Sequence, residues 1–149
     1  MHFAVGARQR EIGRGGFGIT YLCRDTHLDK LVAVKEYFPT DFVVRAMDGA
    51  VLPVNSDSAG QYRSGLERFI QEARTLAKFS HPHIVRVNRY FEANATGYMV
   101  MDFEDGQSLH QQLKGGQRLE EGRTRQVIGP LLDGLQAVHD TGFLHRDIK

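Results

Sequence analysis

One cysteine, Cys23, in 149 residues excludes an internal disulfide framework and fits a reducing compartment. On a predicted strand, that lone thiol reads as a small core residue. No apolar run approaches the ~20 residues of a membrane-spanning helix. The start, Met1-His2-Phe3-Ala4-Val5-Gly6-Ala7-Arg8, lacks the apolar core of a signal peptide. A cytoplasmic location is the expectation. Charge of one sign is also scarce: 19 Lys and Arg against 18 Asp and Glu leave +1, so no nucleic-acid partner is expected. Internal repeats and low-complexity tracts are missing. His81 and His83 have no cysteine or third histidine at ligand spacing, so a metal site is not expected. The remainder, 41% hydrophobic and 25% charged, is ordinary globular material.

The informative residues concentrate between Ile12 and Lys35. Gly13, Gly15 and Gly18 make the G-x-G-x-x-G spacing, with Gly16 as an extra glycine. Glycine lets backbone approach a ligand closely and turn its N–H groups onto phosphate oxygens. The spacing alone is weak; the residues after Gly18 discriminate. A dinucleotide fold needs a helix to start inside the glycines. Here Ile19-Thr20-Tyr21-Leu22 is β-branched and aromatic, which reads as a strand. A P-loop needs Gly-Lys-Ser/Thr, and Gly18 is followed by Ile19-Thr20. The local order is strand, glycine flap, strand, a turn at Asp25 to Lys30, then the strand Leu31-Val32-Ala33-Val34-Lys35. A lysine closing that apolar run either reaches solvent along its stem or meets an anion.

Elsewhere in the chain, residues 1 to 11 are polar and short for a full first strand. The stretch from Glu36 to about Gly60 carries Pro39, Asp48-Gly49, Pro53 and Asn55-Ser56-Asp57-Ser58, and predicts a long loop with a helical turn after Pro39. Tyr62, Leu66, Phe69, Ile70, Ala73, Leu76 and Ala77 fall at helical spacing and predict a helix from about Ala59 to Phe79, with Glu72 beside its stripe. Strands are predicted from Ile84 to about Phe91 and from Gly97 to Met101. Ser108 caps a short helix to about Leu113. Leu119 to about Thr141 is helical again, with a kink or restart at Pro130 and a stop at Gly142.

Gly13-x-Gly15-x-x-Gly18, Val32-Ala33-Val34-Lys35, Phe69-x-x-Glu72-Ala73 and Phe143-Leu144-His145-Arg146-Asp147-Ile148-Lys149 occur in the order found in protein kinases. From Ile12 to Lys149 the chain resembles a serine/threonine protein kinase, of the bacterial (Hanks-type) branch by its Lys-Glu-Tyr-Phe-Pro run and insertion. The resemblance implies an α+β fold: a five-stranded antiparallel N-lobe sheet with one long helix, then the first helices of a helical C-lobe. It divides the chain into an N-lobe at 1–101, a hinge at 102–106 and the start of a C-lobe at 107–149.

The resemblance also implies the site. The flap from Gly13 through Gly15, Gly16 and Phe17 to Gly18 covers the phosphates of ATP, with Phe17 at its tip. Ile12, Thr20 and Ala33 wall the adenine, Thr20 standing where valine is usual. Lys35 binds the α- and β-phosphates and is held by Glu72. Met101 is the gatekeeper, Asp102 and Glu104 offer backbone groups to the base, and Asp105 lies near the ribose. Asp147 accepts the proton of the substrate hydroxyl, Lys149 contacts the γ-phosphate, and Arg146 braces the loop or meets an activation-loop phosphate.

The family also uses Mg²⁺, held by an asparagine five residues after the loop aspartate and by an Asp-Phe-Gly aspartate. Neither lies within these 149 residues, nor does the platform for a protein substrate, so phosphotransfer by this chain alone is not expected. The apolar stripe at 127–138, with Leu131 and Leu135, would then lack its C-lobe partners and could self-associate. The alternative reading is accordingly a non-catalytic, truncated module that binds nucleotide weakly or pairs through that helix.

Overall fold

A computed structural model describes residues 5–116 and 118–143 of the chain. In chain order its elements are β1 (Val5–Gly15), β2 (Gly18–Asp25), β3 (Lys30–Tyr37), β4 (Val43–Arg45), β5 (Val51–Pro53) and α1 (Ser56–Leu76). They continue with β6 (Val87–Ala93), β7 (Thr96–Asp102), α2 (Leu109–Leu113) and α3 (Glu121–His139). Five strands form one antiparallel sheet in the order β1-β2-β3-β7-β6, and β4 pairs with β5 separately. This is the expected α+β architecture: a five-stranded antiparallel sheet, one long helix, then further helices. The chain divides into two compact units, Met1–Phe79 with Arg86–Phe103 and Ser80–Val85 with Glu104–Lys149.

In the first unit β3 is the central strand, and Val32, Ala33 and Val34 are all buried. A strand's side chains alternate, so Ala33, Lys35 and Tyr37 share one face while Val32, Val34 and Glu36 share the other. Helix α1 covers the first face. Its Tyr62 and Phe69 rings lie 5.6 Å from the ring of Tyr37. Two glycines permit this approach. A Cβ on Gly65 would overlap the Tyr37 hydroxyl, and one on Gly97 would meet Leu66 and Phe69 at 3.1 and 3.2 Å. The helix begins earlier than its apolar stripe because Asn55 caps it, its side-chain oxygen accepting from the Ser58 amide at 2.9 Å.

The second face holds a buried carboxylate. Glu36 is fully buried and accepts four hydrogen bonds: from the Tyr21 hydroxyl at 2.9 Å, the Tyr98 hydroxyl at 2.7 Å, and the Arg45 guanidinium at 2.6 and 3.0 Å. Arg45 also lies over the Phe38 ring, 4.8 Å from its centroid.

Arg45 belongs to a hairpin where the sequence pattern predicts loop. The stretch forms β4 and β5, paired Val43↔Pro53, Val44↔Leu52 and Arg45↔Val51. Asp48-Gly49 makes its turn, with Gly49 at φ +89 and the Asp48 carboxylate accepting from the Ala50 amide. Val43 and Val51 are buried, and the Val51 amide donates to the Asn94 carbonyl at 2.8 Å, which fastens the hairpin to the β6–β7 turn. Strands of three residues carry too little periodicity to be read. After Pro39 there is a single turn, closed by Phe42 N–H donating to the Pro39 carbonyl, before β4 begins.

Other boundaries differ from expectation for local reasons. Strand β1 is a full 11 residues, bulged at three places, where a short first strand was expected. Strand β6 starts at Val87 rather than Ile84, because the Ile84 amide closes a turn onto the His81 carbonyl. Asn94 and Ala95, both at positive φ, make the two-residue turn into β7.

In the second unit Ser108 caps α2 with a capping box through Gln111. Helix α3 runs through Pro130 without the expected restart and is followed by Gly142 at φ +77. A Cβ built on Gly134 would lie 3.3 Å from the His83 carbonyl oxygen, and Val138 is buried, while Ile128, Leu131 and Leu132 are exposed. Among the described residues no helix is long and apolar enough to cross a membrane.

Burial pushes the Glu36 carboxyl up, but the hydrogen bonds from Arg45, Tyr98 and Tyr21 outweigh it and leave it below its ordinary 4.5. Burial first, and then the Glu36 carboxylate, push Tyr98 up to about 12. Removing one partner of a buried ion pair costs ~3–5 kcal/mol. Arg45→Met is therefore expected to destabilise the chain by about that much in urea unfolding. Because the folded value of Glu36 is depressed, its stabilisation is present above pH 4.5 and is lost as pH falls through the folded value. Glu36→Gln should remove that part of the acid slope; an unchanged slope would contradict the pairing.

Candidate functional site

The flap is the turn Gly16–Phe17 between β1 and β2, with Gly15 paired to Gly18. Phe17 stands at its tip, 72% exposed. The flap does not hang free. The Phe38 amide donates to the Phe17 carbonyl at 3.1 Å, and the Thr40 amide donates to the Gly16 carbonyl at 3.3 Å. The segment after β3 thus continues the β2 ladder past Gly18↔Tyr37.

The glycines differ in how much room surrounds them. Nothing lies within 4 Å of a Cβ built on Gly15 or Gly16, and Gly13 would meet only Thr20, at 3.9 Å. That leaves the backbone open to a ligand. Gly18 is different. A Cβ there would stand 2.6 Å from the Glu36 carbonyl oxygen and 3.6 Å from Lys35 Cε.

Register places the remaining residues of this unit. Thr20 is opposite Lys35, and Ala33 is opposite Met101, so Gly18, Thr20, Ala33, Lys35 and Met101 share one face. Ile12 is half-buried on β1. Lys35 is half-buried, and among the described residues no acidic side chain lies within 4.0 Å of its ammonium. Glu72 is half-buried on α1, next to the fully buried Ala73, on the helix that covers the Lys35 face. The two are not ion-paired within that distance.

At the end of β7 the Asp102 amide donates to the Arg86 carbonyl at 3.0 Å, leaving its carbonyl as the backbone group it could offer a base. Its carboxylate accepts from Asn88 at 2.8 Å and Lys30 at 3.0 Å, and these bonds, Asn88's first, hold it below the ordinary carboxylate range. Glu104 and Asp105 are exposed in the second unit. Arg146, Asp147 and Lys149 lie outside the described residues. Among the described residues no group of three or more His, Cys, Asp or Glu is placed to hold a metal ion. His81 Nδ1 instead accepts from the His83 amide at 3.1 Å.

Glu36, Arg45, Phe38 and Thr40 were not singled out in the sequence. One signal pointed to Glu36: a strand apolar on both faces is central, so a glutamate continuing it is buried and needs a partner. Nothing comparable marked Arg45.

Gly18→Ala forces a carbon against main chain that has nowhere to move, whereas Gly15→Ala meets open space. Thermal unfolding should show Gly18→Ala destabilised by ~1–3 kcal/mol and Gly15→Ala near wild type. Equal melting temperatures for the two would contradict the packing at Gly18.

Known proteins share this arrangement. Residues 7–149 match the protein kinase domain family. The chain is 33% identical over 141 residues to serine/threonine-protein kinase pkn2 of Myxococcus xanthus, covering 94% of this chain and 15% of that protein. It is 36% identical over 141 residues to serine/threonine-protein kinase PknK of Mycobacterium tuberculosis, covering 93% of this chain and 11% of that one. The solved apo form of PpkA-294 is 39% identical and superposes with a TM-score of 0.87 over 95% of this chain and 51% of its own. The chain therefore spans only a part of each relative. With its glycine flap, strand lysine and covering helix assembled on that fold, the chain belongs to the serine/threonine protein kinase family.

Proposed function

We propose that this chain carries the nucleotide-binding part of an ATP-dependent kinase that transfers the γ-phosphoryl group to serine or threonine hydroxyls of a protein substrate. One observation carries the reading. Lys35 is a half-buried residue with no acidic partner within 4.0 Å of its ammonium among the described residues, beside the glycine that ends the flap. A lysine that ends an apolar strand and has no acidic partner can take an anion, and a triphosphate under the flap supplies one. The open space around Gly15 and Gly16 fits the same ligand, since it lets one approach the backbone closely.

In this reading 1–101 is the N-lobe, 102–106 the hinge and 107–149 the start of the C-lobe. Ile12, Thr20 and Ala33 wall the adenine in front of Met101, and the backbone of Asp102 and Glu104 holds its edge, with Asp105 toward the ribose. Lys35 orients the α- and β-phosphates, and Glu72, which is not ion-paired with Lys35 in this structure, would hold it after moving closer. Asp147 takes the hydroxyl proton, Lys149 steadies the γ-phosphate, and Arg146 braces the loop. Magnesium, when bound, neutralises charge on the transferring group. In the family its ligands are a loop asparagine and an Asp-Phe-Gly aspartate. A cytoplasmic setting is supported by the scarcity of cysteine, Cys23 being the one in 149 residues.

A second reading, a non-catalytic module that self-associates, is favoured by the exposed Ile128, Leu131 and Leu132 on α3. Light scattering separates them: a monomer of 16.8 kDa leaves it without support.

Titrating a non-hydrolysable ATP analogue by calorimetry tests the main reading. Lys35→Ala should weaken binding about tenfold or more, as loss of a charge-assisted contact of ~1.5–3 kcal/mol predicts. Equal affinity in wild type and variant would overturn the role of Lys35.

A further inference from the structure

The flap's two pinned carbonyls carry an inference that rests on the nucleotide reading and goes beyond it. A peptide unit is planar and trans, so fixing a carbonyl fixes the direction of the N–H on the next residue. Thr40 holds the Gly16 carbonyl and thereby aims the Phe17 amide; Phe38 holds the Phe17 carbonyl and thereby keeps the Gly18 amide turned toward Gly15, its partner in the β1–β2 ladder. The Phe17 amide at the flap tip therefore has its direction set before any ligand arrives, on a turn closed by the Gly15–Gly18 pair.

The hairpin holds Phe38 and Thr40 in place. Arg45 grips Glu36 with two hydrogen bonds, one residue before Tyr37. It covers the Phe38 ring with the same guanidinium, and donates to the Gly49 carbonyl of its own hairpin turn at 3.1 Å. The hairpin itself stays attached without Arg45, through buried Val43 and Val51 and the Val51–Asn94 bond, and its base is closed by the Val54 amide donating to the Phe42 carbonyl. Arg45 is thus a strut between an anchored hairpin and the segment beneath the flap.

We propose that Arg45 is a positioning residue for the glycine flap, holding the Glu36–Thr40 segment so that the amide at the flap tip is aimed at a triphosphate before it binds. A flap ordered in advance loses little freedom when the ligand arrives, and that saving appears as affinity for the phosphates. The adenine and ribose contacts do not pass through the flap tip. Arg45 therefore sets the preference for a triphosphate over the bare nucleoside, not affinity in general.

The test measures affinities for a non-hydrolysable ATP analogue and for adenosine in wild type and Arg45→Met. The expected result is triphosphate binding about tenfold weaker, the worth of roughly one to two hydrogen bonds, with adenosine binding unchanged. A purely structural role would weaken both together, and that outcome overturns the proposal, as does no change in either. Should Arg45→Met not fold, Thr40→Pro deletes the amide that holds Gly16 while leaving the Glu36–Arg45 pair intact. It must show the same selective loss, and an unchanged ratio overturns the proposal. Wild-type chain that binds neither ligand overturns the nucleotide reading and this inference with it. Wild type that binds both, with Lys35→Ala impaired and the ratio in Arg45→Met unaltered, overturns only the part given to Arg45.

Discussion

Two charged side chains leave consecutive residues of β3 in opposite directions, and the molecule is arranged around that divergence. Lys35 faces the side that α1 covers and the flap overhangs; Glu36 faces the side closed by Tyr21, Tyr98 and Arg45. Strand alternation makes the separation obligatory. The outcome is one charge without an acidic partner within 4.0 Å among the described residues and another saturated with donors. A buried carboxylate with four hydrogen bonds resists displacement, because breaking any of them strands a charge in low dielectric. The strand that carries Lys35 is held by its neighbour.

The same arrangement explains how an insertion serves the site. Residues 36–60 contribute a hairpin whose valines join the core and whose arginine reaches back to the strand it followed. Pro39 and Thr40 then run beneath the flap rather than away from it. A glycine flap is usually described by its freedom. Here freedom is kept at Gly15 and Gly16, where nothing crowds the backbone, and removed at Gly18, which packs against the Glu36 carbonyl. Among the described residues the backbone hydrogen bonds of Gly16 and Phe17 are made by their carbonyls, so their amides remain available.

Much of this was legible in the sequence. Apolar and β-branched runs located β2, β3, β6 and β7, helical spacing located the long helix, and glycine spacing with a strand after it named the flap, whereas the polar β1 was expected to be short. Ser108 announced α2 as written. The β4–β5 hairpin was not legible, since its strands are three residues long and its turn residues read as loop. Helix α1 started ahead of its stripe because a cap, not a hydrophobic residue, sets the first turn. Pro130 left α3 unbroken. The role of Lys35 followed from pattern and resemblance, whereas Arg45 emerged only from three dimensions. Its partner Glu36 lies 9 residues away across a turn that periodicity does not encode.

The central claim is that the fold itself, with no ligand, holds the flap. Amide hydrogen exchange at Phe38 and Thr40 in the nucleotide-free chain tests it most directly, because each of those amides is engaged only if the flap carbonyls sit on them. The account predicts protection of both amides in the wild type, and its loss in Arg45→Met while Val51 remains protected. Exchange of Phe38 and Thr40 at unstructured rates in the wild type would contradict it.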